Sequence, residues 1–207
     1  MVTGGGSGIG KAIVEGLSAA GVTCHAVGRR GPVKVDGTDQ PAVKAFLETL
    51  DRIAILVCAA GDNVPRRSFE EITPEAWDHL LAVNLSGAFY FINAALAKLR
   101  AAQGDVLLIA SFSGQWPDPS GAAYQASKAG MLALARGAGL EEHLNGVRFS
   151  VINPGATNTP IMLKRPVRPP PEMLAQMLLQ PLDLNRTLQQ LAVPLLARGA
   201  RWVLLSS

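Results

Sequence analysis

The strongest constraint on the fold is a regular alternation of short apolar runs with stretches of helical periodicity. A strand stub at residues 2–3 is followed by a helix over 9–20 and a strand over 22–27. A helix near 41–50 leads into a strand over 53–58. Next come a long helix over 74–99, a strand over 106–110, a helix over 124–140 and a strand over 147–152. Strands separated by helices of these lengths build βαβ units on a parallel sheet. Right-handed crossovers then give a doubly wound α/β sheet with helices on both faces and ligands at the carboxyl ends of its strands.

At 207 residues, 48% hydrophobic and 17% charged, the chain suits one globular α/β domain spanning residues 1–207. A formal charge of +3, scattered along the chain, predicts no nucleic-acid partner. The longest apolar run, residues 53–61, is far short of the roughly 18 residues of a membrane span. Glycines follow Met1 almost at once, a poor match to a signal peptide, so a cytoplasmic protein is expected and the tripeptides at Asn84 and Asn185 that match glycosylation acceptors are read as chance. Cys24 and Cys58 fall in expected strands roughly 10 Å apart. A disulfide needs Cα atoms within about 7 Å, so both are expected to be reduced. Pro160, Pro166, Pro169, Pro170 and Pro171 predict a mobile substrate loop over 160–175 on the ligand side, with too little chain after it for a second core.

Four pieces of chemistry gather at one edge of this sheet. Thr3-Gly-Gly-Gly-Ser-Gly-Ile-Gly10 lies between a strand and a helix. Gly4, Gly8 and Gly10 let the chain turn sharply, so that backbone N–H groups around Ser7 and Ile9 can approach a pyrophosphate at the helix N-terminus. Alone, such a turn could be an ordinary flexible loop. About twenty residues on, where an acidic residue would hold the ribose of NAD, the chain has Gly28-Arg29-Arg30. Arginine there favours the 2′-phosphate of NADP; the bland alternative is a solvated pair. Asp36 would lie near the adenine.

Tyr124-Gln-Ala-Ser-Lys128 places a phenol and an ammonium at i and i+4 on one helix face. A free phenol titrates near pH 10, and a fixed positive charge beside it stabilises the phenolate. A surface Tyr–Lys pair is the alternative. Ser111, just past an apolar strand, can hold a substrate oxygen towards Tyr124, with Ser113 as its rival. A hydrolase triad is a poor alternative, because no Gly-x-Ser-x-Gly elbow exists and no histidine stands in a recognisable relation to either serine. No metal-ligand spacing is found, so no metal is expected.

Together these residues resemble the short-chain dehydrogenase/reductase family from Val2 to about Pro160, and among its members the 3-oxoacyl-thioester reductases and general ketone reductases. The glycine turn matches without departure. Cys58-Ala-Ala-Gly61 resembles the family's Asn-Asn-Ala-Gly segment, with Ala59, Ala60 and Gly61 keeping the close backbone approach. Asn84, Ser111, Tyr124 and Lys128 fall on the catalytic positions. Asn153-Pro-Gly-Ala-Thr-Asn-Thr159 matches the segment that closes over the nicotinamide, through Pro154, Gly155, Thr157 and Thr159. The resemblance implies a Rossmann fold, an NAD(P)-dependent enzyme and a mechanism. Lys128 would hold the nicotinamide ribose and lower the pKa of Tyr124. Ser111 would bind the carbonyl oxygen, Tyr124 would protonate it as hydride arrives, and Asn84 would hold a water connecting Lys128 to solvent.

Three regions look short against that pattern. The first strand has about three residues. Only Gly31 and Pro32 separate Arg30 from Val33, too few for a crossover between neighbouring parallel strands. Either the third strand is missing or irregular, or residues have been lost there; the reading leans to lost residues. At the C-terminus, residues 201–207 could form the last strand, but the family's usual tail is absent, which counts against the tetramer of many relatives; the interface of the helices containing Asn84 and Tyr124 favours at least a dimer, so a homodimer or homotetramer is expected. The leading function is an oxidoreductase that prefers NADP(H) over NAD(H) and acts on a small carbonyl or alcohol. A truncated relative that binds nucleotide without useful turnover is the alternative. Ser113, Gln115, Trp116 and Met162, with Leu163 and Met173, are expected to line an apolar substrate pocket.

Overall fold

The structure, a computed structural model, describes residues 1–164. Five parallel strands, β1 (Val2–Thr3), β2 (Ala26–Val27), β3 (Ile55–Cys58), β4 (Asp105–Ile109) and β5 (Arg148–Ile152), lie in the order β2-β1-β3-β4-β5. The reversal of order beside β1 is the switch point at which α/β sheets take their ligands. Side chains alternate across the sheet as the strand period requires. Leu56, Cys58, Val106 and Leu108 join one core with Val43, Leu47, Phe91, Ala95 and Met131. Val2, Val57, Leu107 and Ile109 join the other with Ile13. Helix α1 (Gly8–Ala19) therefore covers one face, and α2 (Gln40–Glu48), α4 (Gly87–Ala102) and α5 (Ala122–Glu142) cover the other.

Local chemistry sets the helix starts. Asp39 caps α2 by accepting from the Ala42 amide at 3.0 Å, with Pro41 in the first turn. Thr73 caps α3 (Pro74–Leu81) by accepting from the Ala76 amide at 3.2 Å.

The long helix expected over 74–99 is one continuous path, but it is not uniform. Between α3 and α4 lies a wide π-helical turn, Ala82–Ser86. The whole stretch, Pro74–Ala102, is long and apolar enough by length and composition to cross a membrane, which exceeds the apolar run of 53–61 singled out from sequence. Its apolar side is taken up by the sheet and neighbouring helices: Leu80, Phe91, Ile92, Ala95 and Leu99 are all buried.

Two expectations are corrected at the sheet edge. The strand expected over 22–27 shrinks to Ala26–Val27, because β1 offers only two residues to pair with it. The Val2 amide donating to the His25 carbonyl at 2.9 Å is the outermost bond of that ladder. Cys24 therefore lies outside any strand, while Cys58 is buried in β3, and both are free thiols. The third strand is reduced to one parallel bridge, Val27 to Val33. The Gly28 amide donates to the Val33 carbonyl at 3.0 Å, and the Val33 amide to the Ala26 carbonyl at 3.2 Å. The tight loop between them suffices because a single residue pairs and no strand has to be retraced.

Candidate active site

A cleft of about 250 Å³ opens at the carboxyl ends of β1, β2 and β3. Gly4, Ser7, Gly8 and Ile9 line it, so the N-terminus of α1, with its unpaired amides, faces into it. Two glycines are required by close approach. Gly4 has φ +67°, and a Cβ there would stand 2.7 Å from the Ala60 backbone. A Cβ on Gly10 would stand 2.4 Å from the Gly4 carbonyl oxygen. Gly10 thus shapes the turn from behind and does not itself line the cleft.

Arg29, Arg30 and Asp36 border the far end. Both arginines are exposed. The Asp36 carboxylate accepts from the amide of Thr38 at 2.9 Å and from its hydroxyl at 2.8 Å. Those bonds, aided by the charge of Arg29, hold it below the usual carboxylate range. Ala59, Ala60 and Gly61 form the wall beneath.

Tyr124 and Lys128 sit on the first turns of α5, with the Lys128 ammonium 5.8 Å from the Tyr124 ring centroid. Lys128 is 4% exposed. Its Nζ donates to the Ile109 carbonyl at 2.9 Å and touches Met131 Sδ at 3.5 Å. Burial pushes its pKa down to about 8, against a smaller opposing influence of Cys58. Burial also pushes the Cys58 thiol up to about 12.

Asn84 occupies the π-helical turn and is fully buried. Its Oδ1 accepts from the Asp62 amide at 2.7 Å, and its Nδ2 donates to the Asp62 carbonyl and to Ser127 Oγ, each at 3.0 Å. A Cβ on Gly61 would meet Lys128 Nζ at 3.4 Å and Asn84 Oδ1 at 3.5 Å, so the two polar groups converge on this one glycine.

A second cavity, of about 360 Å³, adjoins the cleft, and Tyr124, Ile9 and Thr159 border both. Ser111, Ser113, Pro154, Gly155, Thr157 and Met162 line only the second. Pro154, Gly155 and Thr157 thus stand on the substrate side, and of that segment Thr159 alone reaches the cleft. Gln115 and Trp116 line neither space. The 3₁₀ turn Phe112–Gly114 packs Gly114 against the Lys128 backbone and carries the chain outwards, leaving Trp116 61% exposed. Leu163 is likewise exposed. Met173 and the strand expected over 201–207 lie outside the described residues.

Several polar residues at the site carry no motif. Asp62 is held at its backbone by Asn84 and at its carboxylate by His79 Nε2, at 3.2 Å, and by Lys164 Nζ. Burial raises the Asp62 pKa, but the bonds from Lys164 and His79 outweigh it and hold the group below its ordinary value. Arg67 donates to the Lys164 carbonyl. These contacts tie the 3₁₀ turn Pro160–Lys164, the first part of the expected loop over 160–175, beside the cleft. Asp62 directly follows Gly61 and could have been flagged on that ground; Lys164 offered no signal.

A family model for short chain dehydrogenases matches residues 31–168. The chain belongs to the short-chain dehydrogenase family. An uncharacterized oxidoreductase from Staphylococcus epidermidis is 30% identical over 181 residues, covering 78% of this chain and 78% of that protein. A 2,5-dichloro-2,5-cyclohexadiene-1,4-diol dehydrogenase from Sphingobium indicum is 31% identical over 199 residues, covering 85% of this chain and 78% of its own. A Burkholderia cenocepacia short chain dehydrogenase, solved in complex with NADP, superposes with a TM-score of 0.85 at 25% identity, covering 100% of this chain and 86% of that one. This short-chain dehydrogenase is accordingly an NAD(P)-dependent oxidoreductase acting on CH–OH and C=O groups, built on a Rossmann-like parallel sheet. The residues fit a nicotinamide dinucleotide: the glycine cradle admits a backbone-close pyrophosphate, and the Lys128 ammonium stands at the cleft beside Tyr124.

Proposed function

We propose that this chain moves a hydride between NADP(H) and a small secondary alcohol or its ketone, with Tyr124 as general acid and base. One observation carries the reading: Tyr124 borders both the dinucleotide cleft and the adjoining cavity, with the Lys128 ammonium 5.8 Å from its ring. The nicotinamide, when bound, supplies or accepts the hydride. Lys128 donates to the ribose hydroxyls and, by its charge, favours the phenolate of Tyr124. Ser111 holds the reacting oxygen in the cavity, and Tyr124 gives a proton to that oxygen or takes one from it. Asn84 fixes the segment at Gly61–Asp62 against which Lys128 Nζ lies, and it would hold the water that connects Lys128 to solvent. Thr159 closes the shared border, and Met162 contributes apolar surface to the substrate side.

NADP preference rests on Arg29 and Arg30, two cations at the cleft end where an NAD enzyme would place a carboxylate on the ribose. Asp36 stands near the adenine. The enzyme is further read as a single domain over 1–207, a cytoplasmic homodimer or homotetramer that takes small molecules and neither membrane nor nucleic acid. Titration with NADPH and NADH by nicotinamide fluorescence, followed by a panel of ketones and secondary alcohols, tests the proposal. Tight NADPH binding with turnover supports it. Binding without turnover of any pair favours a nucleotide-binding relative, and no binding by folded protein removes the reading.

A further inference from the structure

We propose that the second cavity takes a small neutral polyol, and that Asp118 selects it by accepting from the hydroxyl next to the one that reacts. The inference deepens the proposed function and rests on its reading of Ser111 as the residue that holds the reacting oxygen.

The cavity is polar where the sequence predicts an apolar one. Asn63, Ser111, Ser113, Asp118 and Ser120 line it, whereas Gln115 and Trp116 do not. Its volume of about 360 Å³ lies at the small end of the roughly 300–1,000 Å³ usual for ligand pockets, which suits one ring or a short chain. Among the described lining residues Arg67 supplies the one positive charge and Asp118 the one negative. The two cancel, so the wall offers no net charge to draw an ionic substrate.

Asp118 is held firmly in this wall. Its Oδ2 accepts from Ser113 Oγ at 2.9 Å and from Ser120 Oγ at 2.8 Å, and its Oδ1 accepts from the Ser120 amide at 3.0 Å. Its backbone carbonyl accepts from Gln125 Nε2 at 3.0 Å. A carboxylate has about four acceptor sites, two on each oxygen. Among the described residues Oδ1 fills only one of its two, which leaves the other for a ligand. Ser111 Oγ stands 3.2 Å from Ser113 Oγ, so the place of the reacting oxygen and the carboxylate are two hydrogen bonds apart. The adjacent oxygens of a vicinal diol can span that interval.

The two hydroxyls of such a substrate have separate fates. The reacting hydroxyl gives its proton to Tyr124 as its carbon gives hydride to NADP+, and a 2-hydroxyketone is formed. The neighbouring hydroxyl donates its own proton to Asp118 Oδ1 before and after that step. The account holds whichever way the proton of Ser111 points.

A simple alcohol in the same place takes water away from Asp118 and returns no donor. Sites built to bond a substrate hydroxyl discriminate strongly against analogues that lack it. One hydrogen bond to a charged group corresponds to about 10- to 100-fold.

The probes are cis-1,2-cyclohexanediol and cyclohexanol, each with NADP+. In the wild type kcat/KM for the diol is expected to exceed that for cyclohexanol by about 10- to 100-fold. Asp118→Ala should bring the ratio close to one. Asp118→Asn should give an intermediate ratio, because a neutral acceptor makes the weaker bond. General damage to the fold lowers both substrates together and leaves the ratio where it was. A wild-type ratio near one, or a ratio that neither variant moves, overturns the proposal. Better turnover of 2-aminocyclohexanol than of the diol also overturns it, since that result puts a cation at Asp118.

Saturation-transfer NMR on the wild-type protein in NADP+ reads binding without turnover. The diol is expected to bind more tightly than cyclohexanol, with the difference lost in Asp118→Ala. Equal binding of the two, or no binding of the diol, overturns the proposal. Binding of the diol that depends on Asp118 but leads to no turnover counts against the functional reading alone.

Discussion

The Lys128 ammonium lies 5.8 Å from the ring centroid of Tyr124, four residues earlier on α5. The spacing suits an electrostatic partner for a phenolate, and it separates the two residues' contributions. Tyr124→Phe is expected to lower kcat by about 10²–10⁴ while leaving NADPH affinity within a few-fold. Steady-state turnover beside a fluorescence titration checks this. A variant that keeps full activity would remove Tyr124 from the proton path.

Lys128 makes the stability of the cofactor-free protein depend on pH. Burial lowers its pKa from 10.5 to about 8, so between those values the folded protein holds fewer protons than the unfolded chain. Unfolding then takes up a proton, and stability from this group rises as pH rises from about 8 to 10.5, with the full penalty present below 8. The penalty is about 3 kcal/mol in order of magnitude. Urea unfolding at pH 7.5 and 9.5 should show the midpoint rising with pH. Lys128→Met should flatten that rise, raise the midpoint at pH 7.5 and abolish turnover.

Arg29 tests the cofactor preference. Both arginines are exposed at the cleft end, where a 2′-phosphate would gain charge-assisted bonds worth about 1.5–3 kcal/mol each. Arg29→Asp is expected to weaken NADPH by about 10- to 100-fold and to improve NADH. Competitive titration measures both, and equal loss of the two cofactors would place Arg29 outside the phosphate site.

Gly10→Ala tests the turn. The new Cβ would fall 2.4 Å from the Gly4 carbonyl oxygen, a backbone atom that cannot swing aside. The cost is expected at about 1–3 kcal/mol, read as a lower urea midpoint, together with loss of cofactor binding. An unshifted midpoint would mean that the turn has room the structure does not show.

The glycine turn and the Tyr124–Lys128 pair were legible because each lies within one turn or one helix face, where sequence spacing fixes spatial spacing. The Asp62–Lys164 pair was not. Asp62 and Lys164 meet across 102 positions, and no local pattern marks a contact of that range. The length of β2 is not legible in its own residues because a strand's extent depends on its partner, and β1 gives it only two residues. Gln115 and Trp116 follow Ser111 closely in sequence, yet one 3₁₀ turn directs them away from both spaces. The crossover after Arg30 looked impossible only for a full third strand; a single bridge at Val33 needs no return path.

The π-helical turn at Ala82–Ser86 has one more consequence. An α-helix advances about 100° per residue, so a residue absorbed in a wider turn offsets α3 and α4 by about that angle. Removing one residue anywhere in 82–86 would leave every side chain downstream chemically intact and still swing Phe91, Ala95 and Leu99 off the sheet, or else keep them there and turn Asn84 away from Asp62. In this stretch the count of residues is under as tight a constraint as their identity, and a deletion there should be tolerated less well than most substitutions.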